Sequence, residues 1–280
     1  MGTSKSSDGA GPGGLIPDHA KPVIPDDDQS APEDEQDADD NASDGAPEDA
    51  DTAEPDNKPE PGRLGPTRTA ISSFARGGGE ESLKRALGHY VNRNFKGAAN
   101  AVARQSHVTA AIARLNSALQ NIGTGNPDDP FAGVDLSDKS PQDLIGILID
   151  AVVDRDGSLD AELEGECFAD ALADLLDADE DADLTNLSEE ARSKLIEGAL
   201  GLCAAKSFLL DVQKTLDSRT ANRVEANALR QEIVDFIRAS VSEAFRSHVT
   251  GSLSVIVTEC RRSLDAILRT TYEVFGEFIR

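Results

Sequence analysis

From Pro66 onward the apolar residues recur at helical spacing almost without interruption, and nothing else in the chain constrains its fold as strongly. In "EESLKRALGHYV", Leu83, Ala86, Leu87, Tyr90 and Val91 make one stripe, opposite Lys84, Arg85 and Gly88. In "SHVTAAIARLNSALQNIG" the stripe is Val108, Ala111, Ile112, Leu115, Leu119 and Ile122, with Gly123 as a stop signal. No strand or hairpin signal follows Pro66. The pattern predicts an all-α, multi-helix bundle with antiparallel neighbours.

A short helix is expected over about 96–105, closing a small basic helical unit at 61–125. The loop "GTGNPDDPFAGVDLSDKS" separates it from a larger bundle at 126–280. That loop ends at Ser140, where Pro141 and Asp143 supply a first-turn proline and a capping acid. Further helices are predicted over about 141–153, 159–176, 189–216, 222–246 and 253–278. On the last, Leu253, Ile256, Val257, Cys260, Leu264, Ile267, Leu268, Phe275 and Phe278 share a face.

Residues 1–60 are different in kind. They carry eighteen acidic and three basic side chains, with no Lys or Arg between Pro22 and Asn57. Such a stretch buries too little apolar surface to offset the entropy of ordering, so it reads as a disordered acidic tail. Downstream, residues 61–125 hold nine basic and two acidic side chains, and residues 126–190 hold two basic and twenty-one acidic ones. A basic block beside an acidic one predicts pairing, internally or with a partner. The net charge of −25 argues against stable nucleic-acid binding. Cys167, Cys203 and Cys260 lie far apart on apolar helical faces, as reduced core thiols would. With no signal-peptide region and no membrane-spanning run, a cytoplasmic protein without membrane association is expected.

Two acidic stretches approximate a calcium loop. Setting Gly157 of "DRDGSLDAELEGE" at the sixth place puts Val152 first and Leu163 last, where carboxylates are needed. "DEDADLTNLSEE" has Asp179, Asp181, Asp183 and Glu190 in register, but Leu184 stands where the turn requires glycine. It reads better as an inter-helix loop ending at a helix start, Ser188. The three glycines of "FARGGGEE" precede Glu80 and Glu81, which repel phosphate, so they read as a joint between helices. The histidines have no ligand at metal spacing, and no nucleophile elbow or carboxylate pair is visible. A protein with no catalytic residues of its own, no metal and no cofactor is expected. The opening "MGTSKS" formally fits a myristoylation pattern at Gly2 and Ser6, without support elsewhere. Removal of Met1 would expose an unhindered Gly2 amine.

Three stretches, "MGTSKSSDGAGPGGLIP", "SSFARGGGEESLKRALGHYV" with the following "GAANAVAR", and "DRDGSLDAELEGECFADALADLL", resemble the QatB family of the bacterial Qat anti-phage defence system. The chain departs from that pattern in having "LIPDHAKPVIP" and no Trp where members continue with "PLVP" and a tryptophan. The resemblance implies a four-protein system containing an ATPase, a QueC-like enzyme, a TatD-like nuclease and this helical component. It also implies that Gly2 accepts a modification from the QueC-like partner, with Thr3 and Ser4 as recognition residues. Arg85 and His89, on the polar side of their helix, are expected to contact partners. The expected function is therefore a non-enzymatic defence subunit with a modifiable N-terminus. Two alternatives remain open: an acidic decoy filling a nucleic-acid-binding groove, and a calcium-responsive helical module.

Overall fold

The structure, a computed structural model, describes residues 62–248 and 259–279, apart from 123, 125–128, 130, 132–133, 135, 137–138, 155 and 180–181. The acidic tail therefore lies outside the described residues. So do Leu253, Ile256 and Val257 of the predicted last helix.

Every regular element among the described residues is helical: α1 (Gly65–Ser73), α2 (Gly79–His89), α3 (Ala98–Arg104), α4 (Ser106–Asn121), α5 (Pro141–Val152), α6 (Leu159–Ala178), α7 (Glu189–Asp217), α8 (Arg223–His248) and α9 (Cys260–Glu277). The all-α expectation holds. Helix starts follow local chemistry. Ser140 Oγ accepts from Asp143 N while the Asp143 carboxylate accepts from Ser140 N, a capping box with Pro141 in the first turn. Ser158 and Ser188 cap α6 and α7 by accepting from Ala161 N and Ala191 N, each at 3.1 Å. Acids fill the first turn of both helices, where they complement the dipole.

α7 is the axis of the bundle. Leu195, Ile196, Ala199, Leu200, Leu202, Cys203, Ala204 and Ala205 are all buried, so its middle is enclosed on nearly every side. It packs against α8, α6, α4 and α1, and α9 packs against α3, α8, α4 and α2. One hydrophobic core runs from Ile71 to Phe275, and Phe131 of the loop before α5 reaches into it.

The three glycines at 77–79 form a corner between α1 and α2. The segment Phe74–Gly78 ends α1 in a kink, where Arg76 and Gly77 leave helical geometry and Gly77 (φ +87°) adopts a left-handed conformation that L side chains rarely take. Gly78 is required for space: a Cβ there would lie 2.8 Å from the Ser73 carbonyl oxygen and closer still to Ser82 Oγ. Ser82 Oγ donates to Gly78 O at 3.1 Å and lies 3.1 Å from Ser73 Oγ, which pins the corner.

On α2, Leu83, Ala86, Leu87, Tyr90 and Val91 are buried as their spacing predicts. Gly88 is not on the outer face. It is buried in the seam with α9, where an added Cβ would meet Ile279 Cγ2 at 2.7 Å and Phe275 O at 3.1 Å. Lacking a side chain, it lets the two helices approach. Lys84 is half-buried, with its ammonium 5.8 Å from the Phe278 ring centroid.

Candidate partner-docking face

Gly2, Thr3 and Ser4 lie outside the described residues. Arg85 and His89 stand one turn apart on α2, and Arg93 follows one turn later in the π-helical segment Tyr90–Asn94. This spacing of four gives the helix surface a basic stripe. Arg85 is exposed and lies back along its own helix: Nη2 donates to Ser82 Oγ at 3.2 Å and Nε to Glu81 O at 3.4 Å. Glu80 and Glu81 pair with Lys84 instead, at 2.8 and 3.7 Å.

His89 is half-buried, and its Nδ1 is enclosed without a hydrogen-bond partner among the described residues. Burial chiefly, then the charges of Arg93 and Arg85, hold its imidazole below the usual histidine range. The stripe thus presents a neutral ring between two permanent cations. Its guanidinium groups can pair with carboxylates.

Behind this face the chain anchors itself. Tyr90 stacks edge-on against Phe95 and Phe208, each at 4.9 Å between centroids, and its hydroxyl donates to Asp211 Oδ2 at 2.9 Å. Burial raises the Asp211 carboxyl above the ordinary carboxylate range, opposed by the Tyr90 hydrogen bond and by Arg104 and Arg68. Asn92 donates to Gly276 O at 2.7 Å, tying the segment after α2 to α9.

The basic and acidic blocks meet inside the molecule. His107 Nδ1 lies 2.6 Å from Glu164 Oε1 and its Nε2 3.8 Å from Asp160 Oδ2, while Arg104 reaches Asp160 at 3.6 Å. Arg114 pairs with Asp154 at 3.2 Å and donates to Val152 O at 2.8 Å. From the other side, Lys206 pairs with Asp170 and Glu166, and Arg238 with Asp174. α6 is therefore an acidic rod clasped by Arg104 of α3, Lys206 of α7 and Arg238 of α8, with His107 of α4 against its buried Glu164. The buried carboxylate Glu164 was not marked by sequence spacing, because its partner is 57 residues away. The opposed block charges were the one sequence signal of this seam.

The calcium-like stretches turn their acids to local work. Asp156 accepts from Ser158 N at 2.8 Å, Asp183 accepts from Thr185 N at 2.9 Å, and Leu184 is buried. Among the described residues no group of three His, Cys, Asp or Glu side chains converges as metal ligands. Cys167, Cys203 and Cys260 are free and buried. Burial pushes the Cys260 thiol up to about 12. No described helix is long and apolar enough to cross a membrane.

Comparison with known proteins matches residues 97–275 to the family described as "QatB: Qat anti-phage system associated protein QatB". The matched span contains "GAANAVAR" and "DRDGSLDAELEGECFADALADLL", and begins just after the Arg85–His89–Arg93 stripe. No curated protein and no solved structure matches the chain. The match spans more than half of the sequence, from α3 through most of α9, and the chain belongs to the QatB family.

Proposed function

We propose that this chain is a non-enzymatic subunit of the Qat anti-phage system, in which the helical body docks partner proteins and Gly2 is the acceptor for modification by a QueC-like partner enzyme. Its family associates it with the Qat system, and that membership is the observation that carries the reading. Thr3 and Ser4 follow Gly2 as small residues able to enter a narrow channel. A glycine α-amine has a reference pKa of about 7.7–8.0, so a useful fraction is neutral near physiological pH. Arg85 and His89, with Arg93, form the face offered to an acidic surface of a partner; the system's ATPase and TatD-like nuclease are the further candidates.

Gly2→Pro replaces the primary amine by a ring nitrogen and leaves the helical core untouched. In cells carrying the whole system this variant should lose phage protection while keeping its melting temperature. Arg85→Glu, at an exposed position, should weaken co-purification of partners without unfolding the chain. Full protection by Gly2→Pro overturns the acceptor role, and unchanged co-purification of Arg85→Glu overturns the docking role. On α6 the carboxylates of Asp160, Glu166, Asp170 and Asp174 already pair with arginine and lysine side chains within the chain, which leaves that helix fewer acids to offer as a decoy.

A further inference from the structure

Beside the glycine corner, Ser72, Ser73, Arg76, Gly77, Gly78 and Arg219 line an open cleft of about 480 Å³. Its lining holds hydroxyls, bare backbone and two guanidinium groups, with no carboxylate and no large apolar side chain. Helix packing builds it. Arg68 of α1 acts on Asp211 of α7, and Arg76 and Arg219 each follow eight residues later, so the two helices run side by side in one direction and end together. Each arginine lies just beyond a helix C-terminus, where a cation is favourable, and that accounts for one arginine at each end. It does not account for both lining one cleft that contains no acid. The neighbouring acids are engaged elsewhere: Glu80 and Glu81 with Lys84, and Asp217 with Arg230. Arg76, Arg219 and Ser72 make no side-chain hydrogen bond or ion pair among the described residues. Arg85 adds a third positive charge nearby: its Nη2 donates to Ser82 Oγ at 3.2 Å, and that oxygen lies 3.1 Å from Ser73 Oγ.

We infer that this cleft binds the phosphate groups of a compact anion, a diphosphate or the phosphate chain of a nucleotide, through Arg76, Arg219 and Ser72. A phosphate group presents oxygens in several directions and takes donors from separate elements, whereas a carboxylate presents one planar edge that a single guanidinium fills. Two arginines and a hydroxyl on one cleft match the first. Open space beside Gly77 lets an anion come against the backbone there. The volume falls within the range of about 300–1,000 Å³ typical of small-molecule sites. With no apolar wall the cleft offers a nucleobase nothing to stack on and a docked peptide no anchor pocket, so phosphate is the group it can read. A long nucleic acid meets the repulsion of a chain of net charge −25. A small anion in the cleft responds chiefly to charges within a Debye length, about 8 Å at physiological salt. Glu80 and Glu81, the acids that argue against phosphate when the three glycines are read in sequence, are held by Lys84, and Arg219 arrives from α7. The inference is independent of whether Gly2 is modified.

The test titrates the full chain, without partners, with sodium pyrophosphate in a calorimeter, and follows the backbone amides of Ser72, Gly77 and Gly78 by NMR in the same titration. Saturable binding should appear together with shifts at these amides. Arg76→Gln combined with Arg219→Gln should weaken binding by at least about tenfold without changing the helical content, since each lost guanidinium removes charge-assisted hydrogen bonds. Arg246→Gln combined with Arg262→Gln, exposed positions outside the cleft, should leave it intact. Adenosine triphosphate distinguishes the sources: binding like that of pyrophosphate admits a nucleotide, and binding of pyrophosphate alone assigns the site to the free anion, both in keeping with a site that reads phosphate. The inference is overturned by absence of pyrophosphate binding, by binding that survives the Arg76→Gln, Arg219→Gln pair, or by an equal loss in the Arg246→Gln, Arg262→Gln pair. Binding of adenosine triphosphate without pyrophosphate also overturns it, and so does a tetraglutamate peptide that binds as tightly as pyrophosphate, which would make the cleft a carboxylate dock.

Discussion

Leu87 and His89 are two positions apart on α2 and serve opposite sides of it. Leu87 is 1 % exposed in the core, so Leu87→Ala should cost about 2–5 kcal/mol. His89→Ala removes a half-buried ring without a hydrogen-bond partner and should cost less than about 1 kcal/mol. Denaturant unfolding of both variants checks this, and equal losses would contradict the assignment of faces. Asp211 yields a pH-dependent prediction. The folded state holds its proton more tightly than the unfolded chain does, because burial raises its pKa. Its contribution to stability is therefore full below the unfolded value of about 3.9 and is lost as pH rises through the raised folded value. Asp211→Asn keeps an oxygen to accept from Tyr90 and carries no charge to desolvate. It should be as stable as the parent or more so at neutral pH, with that advantage vanishing near pH 4. A variant less stable than the parent at neutral pH would contradict this. The core stripe of α2 was legible in the sequence because it depends on spacing alone. The burial of Gly88 and the Tyr90–Asp211 bond were not, since their partners lie in α9 and α7.

At the scale of elements, helix starts are the best-read feature, because a cap is a contact between residues three apart. Ser140 and Ser188 begin their helices as their sequences predict. The glycine corner was legible as a break between helices but not as a pinned one, since its hydrogen bonds join Ser73 to Ser82 across the turn. That geometry gives a direct expectation. Gly78→Ala forces a methyl against the Ser73 carbonyl and should cost about 1–3 kcal/mol, through strain and displacement of the corner. The melting temperature should fall accordingly. An unchanged value would mean that the corner opens freely.

At the scale of the whole molecule, the sequence displays a charge segregation that the fold resolves internally. The basic block contributes Arg104, His107 and Arg114, and the acidic block contributes Asp154, Asp160 and Glu164. Composition announced the pairing, but only the packing of α3 and α4 beside the acidic block at 126–190 determines which groups meet. The proposed partner contacts, at the outer stripe of α2 and at Gly2, lie apart from these pairs in the sequence. The proposed modification of Gly2 in the service of defence is tested by the intact mass of the chain co-expressed with the other Qat components, alongside phage protection. A mass corresponding to loss of Met1 plus an added group is expected, with no added group on Gly2→Pro. A protective wild-type chain that carries no added mass would contradict it.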